Sequence, residues 1–291
     1  MVHNDSHSQA GKNILVAFFL NATFSIIEFI GGYLTNSMAI YSDALHDLGD
    51  SFALLFSYYS EKLSYKKPDA KFTYGYRRFS VLSAFINGVL LLGGSIFVIY
   101  EATLRLNDPE PVKPEGMLLL AIFGIMVNGY AAFKLSKESG INQKMVMFHL
   151  LEDILGWVSV FIVSIVLLFR PWYILDSILS ILISIVILRG VYKNFLKVGA
   201  IFLQKFPDEV KVDKVEQQVR ELDSVKDVHA IRGWSIDGSS FYLSLHVSVS
   251  ETLTMKEVDL LKLEIKNILK KISIKYSTIE FECHKNLDCK F

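Results

Sequence analysis

The sequence predicts an α-helical membrane protein with six transmembrane helices, followed by a small C-terminal α+β domain of αββαβ order. Three observations predict it. Long stretches carry no charge: Ser80–Tyr100, Gly116–Phe133, Ile154–Phe169 and Ser177–Leu188. Apolar segments of about 20 residues suit a hydrocarbon core about 30 Å thick. Two earlier stretches, roughly 13–33 and 38–60, are as apolar in bulk but contain acidic residues and a His. After Pro207 the pattern turns charged and amphipathic, with the periods of a soluble domain.

The first 12 residues, MVHNDSHSQAGK, are polar and read as a flexible cytoplasmic N-terminus rather than a cleaved signal peptide. Residues 13–206 then form the six-helix domain, with span one as an uncleaved insertion signal, and 207–291 the cytoplasmic C-terminal domain. Lys and Arg in short loops set the orientation. The loop after span two holds Lys62, Lys66, Lys67, Lys71, Arg77 and Arg78. Lys134, Lys137 and Lys144 follow span four, and Lys193, Lys197 and Lys205 follow span six. The other side has only Arg105, Lys113 and Arg170, so both termini are expected in the cytoplasm.

In the tail, Val212, Val215, Val219 and Leu222 form one helical stripe, and Val258, Leu261, Ile265, Ile268 and Ile272 a second. Between them Phe241, Leu243, Leu245, Val247 and Val249 alternate strictly, behind an Asp237-Gly238 hairpin signal. Ile279, Phe281 and Cys283 start a last strand with Cys283 on its core face. A domain with three strands is small enough to need a partner. Two Cys exclude a disulfide framework, and 30 basic against 30 acidic residues give no electrostatic case for nucleic acid.

Ionisable groups inside spans are costly and point to function. Span two contains Asp43, His46, Asp47 and Asp50; span five contains His149, Glu152 and Asp153. Each span thus has a His-x-x-x-Asp pair, whose side chains leave one helix face a turn apart. Two such helices packed face to face would converge His46, Asp50, His149 and Asp153. That nitrogen/oxygen set suits a tetrahedral divalent metal, with Zn²⁺ the leading candidate. Asp43, three residues before His46, is expected behind the ligands, fixing the imidazole tautomer, or as a ligand in another conformation. Asp47 and Glu152 are rotated off the ligand face and are candidates for holding protons or lining the entrance. Asn21, Asn87 and Asn128 are expected to hydrogen-bond helices together, while the spacing of Glu28 and Asp176 assigns them no role.

These features resemble the cation diffusion facilitator family over nearly the whole chain. NSMAIYSDALHDLGDS resembles its span-two signature, FTYGYRRFSVLSAFING its approach to span three, and HLLEDILGW its span-five pair. VHAIRGWSIDG with LSLHVSV is similar to the hairpin of its ferredoxin-like, metallochaperone-like cytoplasmic domain. The resemblance implies a homodimeric exporter of divalent metal in a lipid bilayer, driven by proton exchange, and no organic cofactor. It carries the transport site onto His46, Asp50, His149 and Asp153, and the His/Asp mixture resembles the zinc-type branch. It also implies regulatory metal between cytoplasmic domains, at positions that resemble His246 and His284. His229 in the first strand and Cys289 in the tail are further candidates, and His3 and His7 could scavenge metal. Three departures stand out. Ser80 replaces a usual acidic residue, the loop after span two lacks His, and the loop after span four lacks a His-rich tract. The last favours a bacterial-type protein in the cytoplasmic membrane.

The expected mechanism is alternating access with protons and metal competing for the same ligands. Binding needs neutral imidazoles and ionised carboxylates. An imidazole's ordinary pKa of about 6.5 lets an acidic exterior displace the metal. The rival readings are a membrane metal sensor without transport and an intramembrane metallohydrolase. Four protein ligands leave the hydrolase no open position, and the sequence has no His-Glu-x-x-His.

Overall fold

The computed structural model describes the backbone of residues 3–64, 68–135 and 141–283; side chains are described from residue 18, apart from 57, 60–62, 64 and 134–149. Six long helices come first: α1 His3–Thr35, α2 Met38–Ser64, α3 Arg78–Asn107, α4 Pro114–Leu135, α5 Ile141–Phe169 and α6 Ile174–Phe202. Then follow α7 Val212–Arg220, β1 Val225–Ser235, β2 Phe241–Val249, α8 Met255–Lys271 and β3 Ile274–Glu282, the αββαβ order expected. Among the described residues, five of the six long helices have the length and composition to cross a membrane. The sixth, α2, carries the span-two acidic residues and His46.

The chain divides into two compact units, residues 1–65 with 82–195 and residues 66–81 with 196–291. In the first, α1 packs along α2, α4 along α5, and α2 touches α5. Its polarity is inverted relative to a soluble protein. Phe97, Leu119, Tyr130 and Val186 point outward and exposed. Ser25, Glu28, Ser42, Asp43, Asp47, Ser164 and Ser184 are buried. Apolar groups meet lipid at no cost, whereas helix polar groups must be satisfied inside the bundle. Ser25 Oγ donates to the Ala44 carbonyl at 2.9 Å, and Ser42 and Ser184 hydroxyls meet at 3.1 Å between α2 and α6. Asn21 Nδ2 donates to the Asp47 carbonyl at 2.9 Å and to Ser51 Oγ at 3.2 Å, as an interhelical Asn should. Asn87 differs: its side-chain oxygen has no hydrogen-bond partner among the described residues. The α4–α5 seam is closed by Trp157, which is fully buried and lies directly on Gly124, where any Cβ would collide with the indole.

In the second unit, β1 and β2 are antiparallel, β2 and β3 parallel, and the order is β1-β2-β3. The alternating β2 residues Phe241, Leu243, Leu245, Val247 and Val249 are all buried, with Val215 and Val219 of α7 and Leu261, Ile265 and Leu269 of α8. The open face carries the opposite parity. The hairpin forms at Asp237-Gly238, with Gly238 at φ +83°, a conformation natural to glycine. Asp237 Oδ1 accepts the Ser239 and Ser240 N–H groups at 2.9 and 2.6 Å. Burial raises the Asp237 carboxyl, but these bonds and those from the two serine hydroxyls together outweigh it and hold it below the usual carboxylate range. Cys283 corrects the expectation of a buried residue. The strand ends at Glu282, so Cys283 falls past its core face and is exposed.

Candidate metal sites

On α2, a continuous helix through SDALHDLGDS sets His46 and Asp50 one turn apart, with Nε2 and Oδ2 at 3.7 Å. Both are partly exposed, at 28% and 25% of the side chain. Asp43 is buried against α5: its Oδ1 lies 3.6 Å from where a Cβ on Gly156 would stand. Gly156 is three residues beyond Asp153, so the faces of α2 and α5 that bear the two pairs meet there. Asp43 is within electrostatic range of both His46 and Asp153. The α5 helix spaces His149 and Asp153 by one turn, and the His149 side chain lies outside the described residues. Asp47 is buried on the side of α2 that faces α1, in range of Glu28, and Glu152 is exposed.

The structure places both acidic residues to which spacing assigned no role. Glu28 on α1 is 1% exposed and lies within electrostatic range of Asp47, Asp43 and Asp153. Asp176 instead has a structural partner. It accepts Ser37 Oγ at 2.6 Å and the Met38 N–H at 2.7 Å, capping the start of α2.

A second cluster lies on the open face of the sheet. His229 and His246 stand opposite each other in the β1–β2 register, and their rings are 5.5 Å apart. His246 Nδ1 lies 2.6 Å from Glu282 Oε1 and its Nε2 3.4 Å from Glu280 Oε2. His229 Nε2 lies 3.6 Å from Glu282 Oε2 and its Nδ1 3.4 Å from Asp227 Oδ2. One ligand atom each from His229, His246 and Glu282 fall within 4.8 Å of one another, close enough to share an ion. Glu282 escaped the sequence reading, although its parity with His284, opposite Ile279 and Phe281, was a usable signal. His229 stands where its phase puts it: Val228 beside it is buried in the core opposite Val247, so ordinary alternation leaves the imidazole on the open face, before the register shift that begins after it. His284 and Cys289 lie outside the described residues, as do the side chains of His3 and His7.

A bundle with outward apolar residues and inward carboxylates and imidazole, joined to a sheet bearing a His/Glu cluster, has the make-up of a multi-pass membrane protein that handles metal cations. Residues 14–203 match the family described as the cation efflux transmembrane domain, and 207–283 match the cation efflux protein cytoplasmic domain. The chain is 34% identical to the zinc transporter ZitB of Pectobacterium atrosepticum, over 97% of this chain and 89% of that protein. It is 32% identical to the cadmium, cobalt and zinc/H(+)-K(+) antiporter of Bacillus subtilis, over 97% and 92%. It is 33% identical to the metal cation efflux system protein CzcD of Cupriavidus metallidurans, over 95% and 89%. The chain belongs to the cation efflux family, the cation diffusion facilitators. It is a metal cation efflux transporter and not an enzyme.

Proposed function

We propose that this chain exports Zn²⁺ from the cytoplasm across the cytoplasmic membrane in exchange for protons. The transport site comprises His46, Asp50, His149 and Asp153. The observation that carries this reading is the approach of α2 to α5 at Asp43 and Gly156, one turn from Asp153. It brings together the two helix faces that bear the His-x-x-x-Asp pairs. Metal binds when the imidazoles are neutral and the carboxylates ionised, and protons entering from outside displace it. Asp43 orients the site from behind, and Asp47 and Glu152 serve the proton path. The protein acts as a homodimer with both termini in the cytoplasm. Regulatory metal bound at His229, His246 and Glu282, with His284 or Cys289 completing the set, shifts the conformational population of the carrier. In proteoliposomes, Asp50→Ala and Asp153→Ala are expected to abolish zinc-dependent proton flux. Flux at the wild-type rate in either variant would sink the assigned site, and wild-type protein that binds zinc without any flux would favour the sensor reading.

A further inference from the structure

The C-terminal unit contains a cleft of about 1090 Å³ that neither metal site uses. Loop residues 68–77, one end of the open sheet face, α8 and β3 line it. Four cations face it, Arg77, Lys266, Lys270 and Lys275, and the lining includes no carboxylate. Arg77 is already paired, with Asp237 Oδ2 at 3.3 Å and with Ser240 Oγ. The three lysines have no carboxylate partner among the described residues. Unpaired ammonium groups converging on a cleft without a counter-charge favour an anion.

A second feature sits in the same cleft. Trp234, Tyr242 and Tyr276 occupy paired positions on the three strands. Their rings stack in a row, with centroids 5.7 and 4.8 Å apart and planes within 19° and 15°. Tyr74 of the loop meets Tyr242 edge-on at 5.4 Å. Tyr242 is buried inside the row, whereas Tyr276, on the edge strand β3, is 53% exposed. A stack that ends in an exposed ring at a sheet edge can take one more flat ring. The Lys275 ammonium stands there now, 5.8 Å from the Tyr276 centroid.

We propose that this cleft binds a nucleotide, its base continuing the Trp234–Tyr242–Tyr276 stack and its phosphates paired with Lys266, Lys270 and Lys275. Base–aromatic stacking tolerates any base, and lysine serves phosphate as a point charge. The volume suffices, since pockets for small molecules run to about 300–1,000 Å³. Phosphate could also reach the cleft as a lipid headgroup, but a headgroup without a flat ring makes no use of the aromatic row. The metal cluster does not compete directly. His246 lies four residues along β2 from Tyr242, about 13 Å at a strand's rise.

The test is calorimetry on the full chain in neutral-lipid nanodiscs, in metal-free buffer, with ATP, tripolyphosphate and adenosine as ligands. ATP is expected to bind at least tenfold more tightly than either tripolyphosphate or adenosine. Lys266→Gln/Lys270→Gln/Lys275→Gln is expected to weaken ATP at least tenfold, and Tyr276→Leu to erase its advantage over tripolyphosphate. All four residues are exposed, so the variants should keep the wild-type melting temperature, a control made by circular dichroism. Equal affinity of the wild-type protein for ATP and tripolyphosphate would overturn the proposal. So would ATP binding that the triple variant leaves intact, or an interaction seen only when the nanodiscs contain phosphatidylglycerol.

Discussion

Asp176 and Asp43 are both buried carboxylates in membrane helices, yet their surroundings give them different work. Asp176 has two donors, Ser37 Oγ and the Met38 N–H, and sits at the start of α2 where the helix presents unpaired N–H groups. Asp43 sits among His46, Asp153 and the α5 backbone at Gly156. The first is therefore a helix cap, and the second stands beside the proposed transport site. Asp176→Ala leaves two buried donors unsatisfied and is expected to cost about 1–3 kcal/mol of stability. A lower melting temperature in detergent, with the number of zinc ions bound unchanged, is the predicted result. A variant that melts like the wild type, or that loses one zinc, would contradict the cap. Spacing cannot make this distinction, because Asp176 and Ser37 meet across 139 residues of sequence. The one-turn spacing of His46–Asp50 and of His149–Asp153 was legible because both members of each pair share one helix. The grouping of His229 with His246 and Glu282 was less so, because pairing between separate strands brings them together.

At the scale of elements, periodicity carried the reading where one face of one element decided burial. The β2 alternation and the α7 and α8 stripes are of this kind: all five β2 residues enter one core, with Val215, Val219 and Leu222 of the first stripe and Leu261, Ile265 and Ile272 of the second. It failed at the ends of elements: β3 stops at Glu282, and Cys283 is exposed as a result. It was also silent on which element a loop joins, since residues 66–81 belong to the C-terminal unit although they connect two membrane helices. Packing between helices is equally local in its causes. Trp157 lies flat on Gly124, and it follows Asp153 by one turn on α5. Gly124→Ala is expected to destabilise the bundle by about 1–3 kcal/mol through overpacking. It should also slow zinc transport, and wild-type values for both would show that the seam can yield. The Asp237 hairpin gives a pH prediction. Its carboxyl is held below its ordinary value, so the stability it contributes is complete above the unfolded-state pKa of about 4. That stability drains away as pH falls through the lower folded value. The protection factors of β1 and β2 amides, measured against their intrinsic exchange rates, should therefore fall on acidification from pH 5 to pH 3, and less so in Asp237→Ala. An identical pH response in the variant would show that the hairpin carboxylate does not contribute.

For the whole molecule, the zero formal charge conceals a segregation: basic residues gather in the loops predicted to be cytoplasmic, while Glu28, Asp43, Asp47, Asp50 and Asp153 lie within helices α1, α2 and α5. Carboxylates at membrane depth need a cation or a proton at every stage of a transport cycle. If the same groups hold zinc on the way out and protons on the way back, the two gradients are tied by stoichiometry. One pH unit is worth 1.36 kcal/mol per proton, or about a tenfold change in an equilibrium ratio. With the membrane potential clamped at zero, steady zinc accumulation in proteoliposomes should change about tenfold per pH unit for each proton exchanged. Two protons per metal would give about a hundredfold change per pH unit on the same arithmetic. The slope of the logarithm of the zinc ratio against the pH difference therefore reads the proton number directly. A slope of zero, with zinc still entering, would mean that metal moves without protons, and the shared-ligand mechanism would fall while the metal site itself stood.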